Sequence, residues 1–162
     1  MKESPSIKVA SVKEIKEELT HVGARELLAL CVRLARFKKE NKELLSYLLF
    51  HAGDLEGYIR GIKAEMDEQF GEINRSNLYL CKKSLRKILK TTNKYIRFTG
   101  STEAEVELLI HYCQDLKRSG IPVSKSTALT KLYDGQLKKI KAAISLLHED
   151  LQYQYNQELD KL

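Results

Sequence analysis

The chain has 162 residues, of which 43% are hydrophobic and 31% are charged, and its formal net charge is +6. This length fits one domain, and this composition excludes a disordered chain because it supplies enough apolar surface for a core. No run of 18 apolar residues is present, so no transmembrane helix is predicted, and the polar start MKESPSIKVA predicts no secretory signal.

Apolar residues recur at spacings of three and four along almost the whole chain, which is the period of an α-helix and not of a β-strand. We therefore predict an all-α fold. Residues 1–10 are expected to form a flexible N-terminal tail, and residues 11–162 a single all-helical domain. Six helices joined by short turns are predicted, and short turns make neighbouring helices antiparallel. Two architectures fit: an irregular helical bundle, or a short α-α superhelix of the HEAT-like stack type.

The first three helices are predicted over residues 11–21, 24–39 and 43–70. Ser11 and Glu14 form a capping box, S-x-x-E, which indicates where the first helix begins. The third is predicted to be one long helix, because its apolar residues follow one another at spacings of three and four over three heptads, as in a coiled coil.

The last three helices are predicted over residues 74–98, over residues 102–120, and from residue 125 to the C-terminus. Thr102 and Glu105 form a second capping box, which would begin the fifth helix. The sixth is again predicted to be continuous, because its apolar residues repeat at spacings of four and three.

Basic charge is concentrated in one predicted helix. Residues 73–100 carry eight basic side chains and no acidic one, whereas every other segment lies within one unit of neutrality. At 100° per residue, seven of the eight fall on the face opposite the apolar stripe. We call these seven the basic strip: Lys82, Lys83, Arg86, Lys87, Lys90, Lys94 and Arg97. The strip either binds an anion such as a nucleic-acid backbone or pairs with the acidic end of the preceding helix.

Three glycines recur at every fourth residue of the third predicted helix: Gly53, Gly57 and Gly61. If that helix is continuous, they share one face and predict a groove in which a helix of this chain or of a partner packs closely. Each glycine destabilises a helix interior, so a row of three calls for such a reason. The alternative is that the helix breaks near Gly53 and that Asp54 caps a second helix.

No catalytic site, metal site or cofactor is predicted. The chain has no P-loop, dinucleotide-binding or nucleophile-elbow motif. No two of its four histidines are spaced four apart, and His111 and Cys113 would point to different sides of a helix. The three cysteines lie far apart in apolar sequence, which indicates reduced thiols in the cytoplasm.

The sequence therefore predicts a non-enzymatic helical interaction or scaffold module that binds a protein partner or a second copy of itself. The alternative is an accessory nucleic-acid-binding protein that uses the basic strip. Neither a membrane partner nor a small-molecule ligand is predicted.

Overall fold

The computed structural model describes residues 7–162, and all regular structure in this part of the chain is helical. The predicted all-α class is confirmed. The predicted tail falls partly on residues 1–6, which lie outside the described residues, while residues 7–10 have no regular structure.

Eight α-helices and one 3₁₀ turn are found in residues 7–162, so the predicted number of six is wrong. The helices are α1 (Val12–His21), α2 (Ala24–Phe37), α3 (Lys39–Phe50), α4 (Leu55–Gly71), α5 (Leu78–Thr99), α6 (Thr102–Arg118), α7 (Thr127–Ile144) and α8 (Glu149–Leu159). The 3₁₀ turn, Val123–Lys125, precedes α7.

The chain forms two compact units, one that ends at Ser46 and one that spans Tyr47–Leu162. The first unit contains α1, α2 and the first part of α3. The second contains the end of α3 and helices α4 to α8. The single domain predicted for residues 11–162 stays a prediction.

The core of the second unit is built around α6, which packs against α4, α5, α7 and α8. Nine of its 17 residues are buried, so it is enclosed on most sides. Tyr112, near its middle, donates a hydrogen bond from its hydroxyl to the Leu85 carbonyl of α5 at 3.0 Å. The Tyr112 ring also packs edge-on against Phe70 of α4, with ring centroids 5.4 Å apart. Burial raises the pKa of Tyr112 well above its usual range.

The prediction of one continuous third helix is wrong, and the alternative of a break near Gly53 is confirmed, because the chain turns between α3 and α4. Asp54 begins α4, and its Oδ1 accepts a hydrogen bond from the Gly57 backbone N–H at 2.8 Å. The rings of Tyr47 and Tyr58 pack across the turn with centroids 4.7 Å apart. The apolar spacing continues through the turn, which is why periodicity alone joined the two helices.

The predicted sixth helix is also wrong, because α7 ends at Ile144 and α8 begins after His148. Gln152 of α8 donates a side-chain hydrogen bond to the Leu147 carbonyl at 2.8 Å, which satisfies a backbone acceptor in the turn. Neither glycine nor proline marks this turn. α8 then packs on α6, where the Tyr155 hydroxyl donates to Glu103 at 3.2 Å.

The predicted capping boxes have different outcomes. The box of Ser11 and Glu14 at the start of α1 is confirmed, with both reciprocal hydrogen bonds present. The second prediction is wrong by one residue. Ser101, not Thr102, is the N-cap of α6, and its hydroxyl accepts the Ala104 N–H at 3.2 Å. Gly100 ends α5 with a left-handed φ of 60°, a conformation that favours glycine.

Candidate functional sites

The basic strip lies on the outer side of α5. The inner side of this helix faces the core through its buried residues, which are Cys81, Leu85, Ile88, Thr92 and Ile96. Five strip residues are exposed and two, Lys82 and Lys94, are half-buried. Folding of the second unit therefore leaves most of these cationic groups in contact with solvent.

The acidic residues of α4 do not neutralise the first part of the strip. No ion pair within the described residues involves the five strip residues from 82 to 90. Glu56 of α4 lies 3.8 Å from Arg60 of the same helix. Glu65 instead accepts a hydrogen bond from the Tyr95 hydroxyl at 3.2 Å. The like charges on this part of α5 therefore have no ion-pair partner within residues 7–162.

A shallow depression of about 360 Å³ lies on the same side of α5. It is lined by Arg86, Leu89, Lys90, Asn93 and Arg97. The cationic and amide side chains in this lining can donate hydrogen bonds, so the depression suits an anionic group better than an apolar group.

The glycine row is not a helical face. Gly53 lies in the turn before α4, and only Gly57 and Gly61 lie in the helix. A Cβ atom added at Gly53 or Gly61 would have no neighbour within 4 Å in the described chain. A Cβ added at Gly57 would overlap the Asp54 carboxylate that caps α4. No helix among residues 7–162 therefore packs closely on Gly53 or Gly61. A partner helix at Gly57 and Gly61 stays a prediction.

The first unit leaves an apolar helix face uncovered. Neither α1 nor α2 contains a buried residue. The apolar stripe of α2 consists of Leu27, Leu30, Leu34 and Phe37, of which Leu34 is 61% and Phe37 is 77% exposed. An amphipathic helix normally takes its stability from packing of its apolar face, so such a face is a candidate surface for another molecule.

A cationic groove of about 340 Å³ lies beside this face, between α2 and the start of α3. Its lining combines three apolar with four basic side chains: Val32, Ala35, Leu45, Arg36, Lys38, Lys39 and Lys42. Lys39 lies 3.8 Å from Glu43, whereas Arg36, Lys38 and Lys42 form no ion pair with the described residues. The Asn41 side chain fixes the turn between the two helices by donating to the Leu34 carbonyl at 2.8 Å.

Three titratable side chains meet where α4 packs on α6. His111 Nε2 of α6 lies 2.6 Å from Asp67 Oδ1 of α4 and 3.3 Å from Asp115 Oδ2 of α6. Asp115 is buried and its Oδ1 accepts a hydrogen bond from Arg118. We call Asp67, His111 and Asp115 the Asp–His–Asp cluster.

The pKa values of the two carboxyl groups in this cluster shift in opposite directions. Burial raises the pKa of Asp115, and the neighbouring Asp67 raises it further, which together outweigh the opposite effects of His111 and Arg118. Burial also acts to raise the pKa of Asp67, but hydrogen bonds with His111 and Asp115 lower it below its usual range. A proton bound to this pair is therefore held more readily by Asp115 than by Asp67.

Part of this cluster was visible in the sequence. His111 and Asp115 are four residues apart on one helix and so share a face. The two residues form neither a pair of histidines nor a Glu-x-x-His motif, so those two metal-site patterns do not include them. Asp67 lies 44 residues away from His111, and only the packing of α4 on α6 brings it near.

Comparisons of the chain with protein-family models, with curated proteins and with solved structures found no match. In the described part of the chain, every helix is too short or too polar to cross a lipid bilayer.

The two helical glycines of α4 allow a matched prediction. Gly61→Ala should raise the free energy of unfolding by about 0.5–1 kcal/mol, because alanine favours the helix and the added methyl group meets only open space. Gly57→Ala should raise the free energy of unfolding clearly less, because its methyl group displaces the Asp54 side chain that caps α4, and loss of such a cap costs about 1 kcal/mol. Urea unfolding of both variants, with unchanged slope, measures the difference. A loss of stability at Gly61 would instead show that something packs closely there.

Proposed function

We propose that this chain is a non-enzymatic helical interaction module that binds a protein partner through α1 and α2. The observation that carries the proposal is that neither helix buries a side chain, although both are amphipathic. Covering one leucine or phenylalanine side chain contributes about 1.5–3 kcal/mol, so even a few stripe residues supply useful affinity.

The chemistry of the cationic groove supports one kind of occupant. Its apolar floor suits a leucine-sized side chain, and Arg36, Lys38 and Lys42 at its rim have no carboxylate partner among the described residues. Complementary charge across an interface favours encounter and fixes orientation. The partner is therefore an amphipathic helix whose apolar stripe is flanked by acidic residues, docked in the helix-in-groove manner.

Further features accompany this proposal. The second unit, with four helices around α6, favours the irregular bundle over a HEAT-like stack. A cytoplasmic location is supported by the three cysteines, which form no disulfide with one another. Since no catalytic arrangement enters the proposal, the second unit acts as the scaffold that carries the interaction surfaces.

The proposal predicts selective binding of an acidic amphipathic helix. Two designed peptides with the same leucine stripe, one flanked by glutamate and one by lysine, are titrated against the chain by fluorescence anisotropy. The acidic peptide should bind at least tenfold more tightly. The double variant Leu34→Ser with Phe37→Ser should lose more than tenfold in affinity, because the exposed apolar contact is removed. The control is Leu146→Ser, which changes an equally exposed leucine of the second unit.

Three outcomes would contradict this proposal. The first is equal affinity for the two peptides, and the second is an equal loss of affinity in Leu146→Ser. The third is a dimer in sedimentation velocity that the double variant dissociates, since that result would assign the face to a second copy of the chain.

A second candidate function is nucleic-acid binding by the basic strip. It is favoured by the five strip residues between 82 and 90, which have no counter-charge in the described chain. Residues 82–97 extend ~22 Å along the helix axis, enough to follow several phosphates of a duplex. The strip carries few aromatic residues, so contact with the backbone is expected rather than base stacking.

The test of this candidate is the charge reversal Lys83→Glu with Lys90→Glu. Binding to duplex DNA or RNA at low salt should fall more than tenfold, and the slope of log affinity against log salt should fall by about two. Stability should change little, because neither lysine forms an ion pair in residues 7–162. Lys138→Glu with Lys139→Glu on α7 makes the same change of charge on another exposed helix. An equal loss in that control, or no binding by the unmodified chain, would rule this candidate out.

A further inference from the structure

The Asp–His–Asp cluster brings three metal-ligand atoms to one point. Asp67, His111 and Asp115 each present one ligand atom, and these atoms all lie within 4.8 Å of one another. We infer that the cluster is a binding site for a divalent transition-metal ion of the zinc type, held between α4 and α6. This site is separate from the surfaces of the proposed function.

A second observation, independent of the clustering, points to a ligand. Asp115 is only 7% exposed, and its Oδ2 accepts no hydrogen bond within the described chain. A buried carboxylate oxygen without a donor is costly, because it has lost its water and gained no replacement. That oxygen lies 3.3 Å from His111 Nε2, on the side where the other two ligand atoms converge. A cation at this point satisfies it.

The spacing of the ligand atoms suits tetrahedral coordination. Zinc bonds of ~2.0–2.1 Å to nitrogen and oxygen set ligand atoms ~3.3 Å apart in a tetrahedron. The pair of His111 Nε2 and Asp115 Oδ2 already has this separation, at 3.3 Å. The pair of His111 Nε2 and Asp67 Oδ1, at 2.6 Å, must open. The Asp67 side chain can make this adjustment because it is 56% exposed.

The ligand set and its neighbours define the kind of ion. One imidazole and two carboxylates suit zinc and similar ions, whereas magnesium and calcium prefer oxygen ligands alone. Arg118 bonds the other oxygen of Asp115, so it can orient this ligand from outside the coordination sphere. With three protein ligands, the fourth position falls to water or an anion. A cleft of about 250 Å³, lined by Asp67, Asp115, Arg75 and Arg118 among others, has room for either.

A proton shared by Asp67 and Asp115 would satisfy the same buried oxygen. The two occupants make different predictions, because a proton-bridged cluster needs no metal and has no preference among divalent ions. Metal titration therefore decides between them.

The experiment is titration of the chelator-treated full chain with Zn²⁺ by calorimetry, with Mg²⁺ and Ca²⁺ in parallel. One Zn²⁺ per chain should bind, and the melting temperature should rise on binding. The affinity for Mg²⁺ and for Ca²⁺ should be at least a hundredfold weaker. Co²⁺ should give visible ligand-field bands of a four-coordinate site without a thiolate charge-transfer band, which excludes the cysteines as ligands.

Matched variants locate the site. Asp67→Asn, at a half-exposed position that the core does not need, should lower Zn²⁺ affinity at least tenfold, and His111→Gln should lower it further. Glu68→Gln, the exposed neighbour of Asp67, and His148→Gln, beside Asp150, should leave it unchanged. The inference is overturned if the unmodified chain binds no stoichiometric Zn²⁺, if Co²⁺ shows thiolate ligation, or if a folded Asp67→Asn variant binds as tightly as the unmodified chain.

Discussion

Burial of α6 is the constraint on which the second unit depends. Its side chains face neighbours on most sides, and the hydroxyl of Tyr112 is satisfied by a carbonyl of α5 rather than by water. Once α6 is central, α4 and α5 must each turn one face inward. The outer side of α5 is then free to carry like charges, and the contact of α4 with α6 brings Asp67 to His111.

The first unit differs from the second in the burial of its helices. Its helices have the periodicity of core helices, yet α1 and α2 bury none of their side chains. Isolated helices of this length are marginal in water, so an exposed apolar stripe is both a cost to the free chain and a source of binding energy. Under the proposed function, the basic rim of the cationic groove restricts the partner to an acidic one. The proposal thus assigns the core to the second unit and partner binding to the first.

The sequence predicted correctly that the chain is helical, but it predicted only some of the helix ends. The capping box at Ser11 and the break between the helices predicted over residues 74–98 and 102–120 depend on neighbouring residues alone, and both are confirmed. The turn before α8 was missed, and the turn at Asp54 was predicted only as the alternative to one long helix, because the apolar spacing runs through both turns. What decides these turns is tertiary packing and a side-chain cap, neither of which periodicity reports.

The candidate sites also differ in how far the sequence alone could predict them. The basic strip is a property of one helix, so wheel geometry alone placed it opposite the apolar stripe of α5. The Asp–His–Asp cluster joins two helices, and Asp67 lies 44 residues before His111. Sequence spacing could therefore indicate only the pair of His111 and Asp115. The exposure of α2 was not predictable at all, because an apolar stripe has the same sequence pattern whether it is buried or uncovered.

Hydrogen exchange of the backbone amides, measured by mass spectrometry on the dilute free chain, tests the division between bundle and partner-binding segment most directly. The account predicts that α6 exchanges only through global unfolding, that α2 exchanges much faster by local opening, and that the acidic peptide slows exchange in α2. Protection of α2 as strong as that of α6 in the free monomer would contradict it, since that helix would then need no partner.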